Sequence, residues 1–232
     1  MTCVIEHLLT DQPTGKSIVL NTSDYEPEFS ADDEITVTLA QSFVPRSKKP
    51  KPVQKERTKH KGEVVTPIRI IDEMIDVLED DWKDYTFDQY IDSTQLEICC
   101  GEAPFIVQRY DPETGESIDI ENRNGLLDRK LKRIRDKVQC DSAGFIDKNE
   151  WFQLVIRAYK STYGYELQGD SLYLGRKNLL DTFIDWHEYL FKEKPHWILV
   201  GGITEIISWN LVQMDGLKPD YSKFKDWLNE DV

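Results

Sequence analysis

Three short apolar segments, each carrying a carboxylate near its end, constrain the fold of this chain more than any other feature. The carboxylates are Glu97, Glu166 and Asp215. Between the segments lie stretches whose apolar residues recur every three or four positions, which is the pattern of amphipathic helices. Strands that alternate with helices in this way usually pair in parallel, because the crossover helix returns the chain to the same end of the sheet. We therefore predict an α/β fold with a parallel sheet flanked by helices.

The helices follow from apolar spacing and from their capping residues. TPIRIIDEMIDVLEDDW forms one apolar stripe, with Thr66 as the capping residue and Pro67 in the first helical position. Asp147 and Glu150 have the spacing of a capping box at the start of another helix. Further helices are predicted at residues 125–138 and 170–191, and residues 203–212 are either helix or strand.

Strand and turn patterns are weaker. Pro and Gly in DPETG favour an inserted β-hairpin between residues 105–110 and 116–120. Near the N-terminus, KSIVLN (16–21) and ITVTLAQSFV (35–44) have strand character. These patterns divide the chain into an acidic N-terminal arm or small β element at 1–45, a basic linker at 46–62 and the main domain at 63–232.

The charge is unevenly distributed. The chain of 232 residues has a formal net charge of −14, which argues against coating nucleic acid by charge alone. The linker at residues 46–62 is the exception, because it is rich in Lys and Arg. Three roles are open for it: contact with a phosphate backbone, a solvated linker, or folding back on the acidic body. The candidate nucleic-acid-binding residues are Lys48, Lys49, Lys51, Lys55, Arg57, Lys59 and Lys61.

Cysteine and histidine usage predicts no metal site. The sequence has four cysteines and four histidines, with no CxxC pair. Free thiols of this kind are typical of the reducing cytosol, so we expect a cytoplasmic protein. No apolar run approaches the roughly 20 residues that span a membrane, and the N-terminus lacks the pattern of a secretion signal.

The three carboxylates predict a ligand site. The carboxyl ends of parallel strands meet at one edge of the sheet, and open α/β sheets bind ligands at that edge. Gly101 follows the first segment, and a glycine turn there lets the backbone approach a ligand closely. An acid after the second strand of such a fold can accept hydrogen bonds from ribose hydroxyls, which is the position of Glu166.

Six blocks of sequence resemble one family. The blocks are GEVVTP (62–67), LEICCGEAPF (96–105), RYDPETGE (109–116), GLLDRKL (125–131), YGYELQGD (163–170) and ISWNLVQMDGL (207–217). In this order they resemble modification subunits of type II restriction systems, which belong to the class I S-adenosylmethionine-dependent DNA (adenine-N6) methyltransferases. The resemblance covers about residues 55–218, and residues 1–54 have no counterpart. It implies a Rossmann-like sheet, here with fewer strands than usual, in a bacterial or phage-encoded protein.

The resemblance also implies a role for each matching residue. Gly101 and its turn would hold the methionine part of S-adenosyl-L-methionine, and Glu97 its amino group. Glu166 would bind the ribose hydroxyls, and Asp215 the adenine amine. The remaining residues that the resemblance implies at the cofactor are Thr66 and Pro67, which would close the methionine end, Cys100, and Phe105.

The departures from the family pattern concern the chemistry. Ala103 stands where the family has a glycine, and Pro104 has no backbone N–H to donate. The family's catalytic loop, (N/D/S)PP(Y/F/W), accepts hydrogen bonds from the target amine and stacks on the flipped base. No Pro-Pro pair occurs in this chain. We therefore expect a protein that is catalytically incomplete alone. Its expected partners are DNA and a partner subunit that supplies the loop or target recognition.

Two other classes of function remain open. The acidic body is also compatible with a non-catalytic interaction or anti-restriction protein that engages a restriction or defence protein, because acidic surfaces imitate a phosphate backbone. The third class is another reaction on the same cofactor or on a nucleotide, with one strand-end acid as the proton acceptor. The sequence offers no nucleophile–base pair for that third class, so its catalytic residues are unknown.

Overall fold

A computed structural model of the protein describes residues 2–25, 27–141, 146–220 and 222. The described helices are α1 (Thr2–Leu8), α2 (Val37–Ala40), α3 (Lys51–Lys61), α4 (Ile68–Asp80), α5 (Phe87–Asp92), α6 (Leu126–Asp141), α7 (Lys148–Lys160), α8 (Gly169–Phe191) and α9 (Trp197–Asn210). The described strands are β1 (Thr10–Asp11), β2 (Lys16–Ser17), β3 (Gln95–Ile98), β4 (Thr162–Glu166) and β5 (Leu211–Gln213). Of the predicted domain at 63–232, residues 142–145, 221 and 223–232 lie outside this description.

The predicted parallel sheet flanked by helices is confirmed. Strands β3, β4 and β5 pair in parallel in that order, with Leu96 opposite Tyr163 and Gly164 opposite Leu211. Helices α8 and α9 contact both β4 and β5, and α7 contacts β4. This order places the carboxyl ends of all three strands at one edge of the sheet.

Capping explains several element boundaries. The Asp147 side chain accepts hydrogen bonds from the amides of Asn149 (2.8 Å) and Glu150 (3.3 Å), which is one half of the predicted capping box. The cap of α4 is Pro67 rather than Thr66. Residues 35–44 differ from the expected strand, because the Thr36 side chain caps the short helix α2.

The expected hairpin at residues 105–120 is reduced to a single bridge. Within the described residues, only Tyr110 and Ser117 pair there as in an antiparallel sheet. The turn itself forms as expected, because the Asp111 side chain accepts hydrogen bonds from the amides of Glu113 (2.7 Å) and Thr114 (3.0 Å). An Asx turn of this kind closes the loop without a strand ladder.

The N-terminal 45 residues share the main core. Strands β1 and β2 form the small β element, with Thr10 opposite Ser17. Leu8, Ile18 and Leu20 are buried in the same apolar cluster as the helices around the sheet. Burial of such side chains contributes about 1.5–3 kcal/mol each, so this segment is tied to the body of the protein by its apolar residues.

Residues 46–62 differ from the expected linker. They form a 3₁₀ turn at Arg46–Lys48 followed by helix α3, which ends at Gly62 in a left-handed conformation. Arg57 in this helix is 1% exposed. Two of its carboxylate partners, Asp24 and Asp170, come from distant segments, and the sequence spacing of the basic residues gives no sign of them.

A buried ion cluster attaches α3 to the start of α8. The Arg57 guanidinium donates to both carboxylate oxygens of Asp170, at 3.0 and 3.1 Å, and Lys49 Nζ lies 2.6 Å from the same carboxylate. Arg57 also pairs with Asp24 and Glu63. Burial opposes ionisation of Asp170, but the charges of Lys49 and Arg57 outweigh the effect of burial and lower the pKa of Asp170.

Among the described helices, none combines the length and the apolar composition that a membrane span requires.

Replacing Arg57 by methionine is expected to lower the free energy of unfolding by about 3–5 kcal/mol, because removing one partner leaves buried carboxylates uncompensated. Urea denaturation measures this loss. The matched change Arg69→Met removes an exposed pair with Glu73 and should cost at most about 1 kcal/mol. Equal losses in the two variants would contradict a special role for the buried cluster.

Candidate functional site

A pocket of about 450 Å³ lies at the carboxyl ends of the three parallel strands. Its volume falls within the roughly 300–1,000 Å³ of typical small-molecule sites. Residues at or after the ends of β3, β4 and β5 form one side, and residues 61–66 and 102–112 contribute to the others. The pocket therefore draws its walls from segments that are far apart in the sequence.

The pocket brings most of the predicted site residues together. The predicted residues that line it are Thr66, Glu97, Cys100, Gly101, Phe105, Glu166 and Asp215. Pro67 does not line it and instead caps α4. The structure thus collects the three carboxylates in one cavity.

The turn after β3 has an unusual backbone. Cys99, Gly101 and Ala103 have φ values of +61°, +56° and +65°. This left-handed region is ordinary for glycine but costs other residues roughly 1–2 kcal/mol each. Such strain persists where the surroundings enforce it, often at ligand sites. The buried Ala103 amide donates to the carbonyl of Cys100 (2.8 Å), which closes the turn.

Glu166 joins this turn to the end of β4. Its Oε2 accepts a hydrogen bond from the Gly101 amide (2.8 Å), and its Oε1 accepts one from the Gln168 amide (2.8 Å). Burial raises the pKa of Glu166, while these backbone donors oppose the rise. A carboxylate can accept about four hydrogen bonds, so acceptor sites remain for a ligand. The Gly101 amide, in contrast, is already engaged.

Glu97 holds an unsatisfied acceptor. Its Oε2 is buried and has no hydrogen-bond partner among the described residues. Burial raises the pKa of Glu97 well above its usual value, and the neighbouring charge of Glu166 raises it further. Buried polar atoms are normally satisfied, so an orphaned carboxylate oxygen in a pocket calls for an external partner. An ammonium group or a hydroxyl group is the chemistry that fits it.

The loop after β5 brings Asp215 to the same cavity. Asp215 Oδ1 accepts hydrogen bonds from the amides of Leu217 (2.9 Å) and Lys218 (3.2 Å), which fixes the loop. Gly216 lies so close to β3 that a Cβ atom there would be 2.4 Å from Ile98 Cγ2. Only glycine allows this approach, and it places the acid of β5 beside the end of β3.

A further polar network lines the pocket, and the sequence motifs do not reveal it. Glu102 Oε1 accepts from the Arg46 amide (2.6 Å), and Glu102 Oε2 accepts from the Tyr110 hydroxyl (2.5 Å). Asn178 Nδ2 donates to the Tyr110 hydroxyl (3.0 Å). The one sequence feature that pointed to this network is Glu102, which stands where a glycine-rich turn would normally continue. Both carboxylate oxygens of Glu102 accept hydrogen bonds within the protein, so Glu102 forms part of the pocket wall and is not a ligand-binding group.

The seven basic candidates fall into different environments. Lys49 and Arg57 point inward to the ion cluster around Asp170, so their charges are not available to a phosphate backbone. Lys48 is exposed at the end of the 3₁₀ turn, and Lys61 lines the pocket. The exposed remainder on α3 consists of Lys51, Lys55 and Lys59, spaced four residues apart.

In the described part of the chain, no group of three or more His, Cys, Asp or Glu side chains is placed to hold a metal.

Replacing Glu97 by glutamine is expected to stabilise the protein, and increasingly so as pH rises above about 4. The folded state keeps a proton on Glu97 that the unfolded chain has already released, because the folded pKa is raised. The wild type therefore loses stability as pH rises towards the folded pKa, whereas glutamine does not titrate. Urea unfolding at pH 5 and pH 8 should show a larger gain in the free energy of unfolding of the variant over the wild type at pH 8 than at pH 5.

The control for this measurement is Glu116→Gln, which removes an exposed carboxylate. It should leave the pH profile of stability close to that of the wild type. A Glu97→Gln profile parallel to that of the wild type would show that Glu97 is not held in its protonated form.

Comparison with known proteins identifies no relative of this chain. No family model, no curated protein and no solved structure matches the chain. Any function must therefore be argued from the geometry of the pocket and from the sequence blocks.

Proposed function

We propose that this protein binds S-adenosyl-L-methionine in the pocket at the carboxyl ends of β3–β5. One observation carries the proposal: Glu97, Glu166 and Asp215, which lie far apart in the sequence, line the same cavity. They lie at or after the ends of three consecutive parallel strands. This is the arrangement in which open α/β sheets hold nucleoside cofactors.

The strand order supports the proposal. A doubly wound dinucleotide fold consists of two βαβαβ halves, and each half contributes three parallel strands in sequential order. The order β3-β4-β5 corresponds to one such half. We propose a Rossmann-like, methyltransferase-like domain in which this half retains the cofactor site.

The pocket residues then have distinct tasks. The unsatisfied oxygen of Glu97 accepts a hydrogen bond from the amino group of the methionine part, and the spare acceptor sites of Glu166 take the ribose hydroxyls. Asp215 faces the adenine amine, and Phe105 packs beside the ligand. When bound, the cofactor supplies an electrophilic methyl group. The acidic lining suits its positive sulfonium centre.

The carboxylate of the methionine part needs a cation. Arg46 and Arg109 line the pocket, but Arg46 pairs with Glu63, and Arg109 with Asp181 and Asp185. Lys61 also lines the pocket and makes no ion pair within the described residues. We assign it to the carboxylate, since the Gly101 amide is engaged by Glu166 and Pro104 has no amide hydrogen.

Methylation of DNA would require a second component. The chain has no Pro-Pro pair from which the family's catalytic loop could be built. We propose that a partner subunit supplies this loop and the target recognition, in a restriction-modification or phage-defence context. The chain alone then binds the cofactor without methylating adenine.

Isothermal titration calorimetry with S-adenosylmethionine tests the cofactor site. The wild type should bind with micromolar affinity, and Glu97→Gln and Glu166→Ala should each weaken binding at least tenfold. Wild-type affinity should rise with pH, because the cationic ligand favours ionised Glu97, whose pKa is raised in the free protein. Glu97→Gln should lose this dependence.

Glu116→Gln serves as the control, because Glu116 is exposed and does not line the pocket. It should bind as the wild type does. No measurable heat from the wild type at high micromolar ligand would reject the cofactor assignment.

The acidic surface favours a second candidate function. With a net charge of −14, the protein could act as a non-catalytic partner that engages a restriction or other defence protein in the way that DNA does. That function predicts a stable complex with a purified restriction nuclease that dissociates at raised salt. It requires no cofactor in the pocket, so calorimetry separates the two functions.

The exposed lysines of α3 favour a contact with DNA. Lys51, Lys55 and Lys59 lie on one side of the helix, and side chains four residues apart on a helix are neighbours. Replacing all three by glutamate should abolish weak binding to duplex DNA at low salt, measured by fluorescence anisotropy. The Lys160→Glu change, at an exposed lysine of α7, should alter it little. Unchanged binding in the triple variant would exclude this helix as the contact.

A further inference from the structure

Helix α4 has an apolar surface that is only partly buried. Ile71 and Ile75 are fully buried, whereas Met74, Val77 and Leu78, which adjoin them on the helix surface, are 52%, 70% and 45% exposed. We call these three exposed residues the outer side of α4. A helix that only covers a core buries its apolar stripe, so the exposure of the outer side is not explained by the fold.

The outer residues form one continuous patch. Side chains three and four residues apart are neighbours on a helix, which joins Met74 to both Val77 and Leu78. Leu78 also lies next to the buried side in the helical projection, so the patch runs up to the core. Single exposed apolar residues are common, whereas a contiguous patch marks an interaction site.

Acidic side chains border this patch. Glu73, Asp80 and Asp81 are exposed beside it. Glu73 pairs with Arg69, and Asp76, which is 66% exposed, pairs with Arg129. Asp80 and Asp81 make no ion pair with any described residue. A surface with an apolar centre and unpaired acids at its margin complements an apolar surface that is bordered by Lys or Arg.

We propose that the outer side of α4 is a docking site for an amphipathic helix of a partner protein, with an apolar stripe flanked by basic residues. A straight apolar stripe on one helix packs best along another helix, with ridges in grooves. The charge determines the choice of occupant. A second copy of this chain would oppose acids with acids, and phosphate groups of nucleic acid or of an anionic bilayer would be repelled.

The docking site lies on the helix that follows the pocket wall. Helix α4 begins at Ile68, two residues after Thr66, which lines the pocket. A helix bound along the full length of α4 would therefore extend from the docking site towards the segment 61–66. The docking proposal does not depend on which ligand occupies the pocket, and the two are tested separately.

The test uses the full-length protein and two labelled synthetic peptides. Each peptide has 18 residues with leucine at helical spacing, and the flanking positions are lysine in one peptide and glutamate in the other. Fluorescence anisotropy should show saturable micromolar binding of the lysine peptide, weakened several-fold as salt rises from 50 to 300 mM, and no binding of the glutamate peptide.

Val77→Asp is the decisive variant. It adds a negative charge, so attraction by charge alone would strengthen binding of the lysine peptide, whereas loss of the apolar contact should weaken it at least tenfold. The matched control is Trp197→Asp, the same charge change at an apolar residue of α9 that is 74% exposed. It should leave the affinity unchanged. Equal effects of the two variants, or no saturable binding, would overturn the proposal.

Amide chemical-shift mapping of the wild type provides a measurement that needs no variant. Addition of the lysine peptide should shift resonances of α4 most strongly, and shifts centred elsewhere would overturn the proposal. Sedimentation of the protein alone addresses the other occupant. Dimerisation that Val77→Asp abolishes would assign the surface to a second copy instead.

Discussion

The buried contact between Arg57 and Asp170 connects the two parts of the sequence on which the pocket depends. Asp170 lies in the first turn of α8, immediately after β4, and Arg57 lies on α3, before the segment that walls the cavity. A guanidinium that is 1% exposed must have its charge balanced on the spot, because isolated charges in a protein interior are too costly. The position of α3, and of residues 61–66 after it, therefore follows from an electrostatic requirement at the end of β4.

The buried charge of Arg57 is neutralised by carboxylates, whereas three buried carboxylates of the pocket have no cation paired with them in the described part of the chain. Burial raises the pKa of Glu97, Glu102 and Glu166, and none of the three carboxylates forms an ion pair within the described residues. Glu102 is compensated by neutral donors and Glu166 by backbone amides, whereas Glu97 has a buried oxygen that no described residue satisfies. A protein gains nothing in stability from such an arrangement. A cationic or hydroxyl-bearing ligand would offset this cost, and that is the physical reason for treating the cavity as a binding site.

The sequence allowed the convergence of Glu97, Glu166 and Asp215 to be predicted, because acids at the ends of consecutive parallel strands must share an edge. The amphipathic helices α6, α7 and α8 could be predicted for a similar reason, since their apolar spacing is local information. That the basic segment at residues 46–62 folds back on the acidic body was one of three open roles, and the structure confirms it. The buried partner of Arg57 could not be predicted, because Asp170 lies 113 residues further along the chain. The turn at residues 99–103 was equally hidden: an expected ligand donor, the Gly101 amide, is engaged by Glu166, and no local pattern encodes that bond.

The three-stranded sheet carries one last implication. Parallel sheets are normally covered on both faces, yet Leu96 and Ile98 of the outer strand β3 are 45% and 54% exposed. Both side chains point to the same face, because alternate residues of a strand do. No further strand pairs with β3 in the described part of the chain. A doubly wound fold would continue the sheet where β3 ends it. A sheet that ends at β3 with an uncovered face and an unpaired edge is open to extension by a further strand.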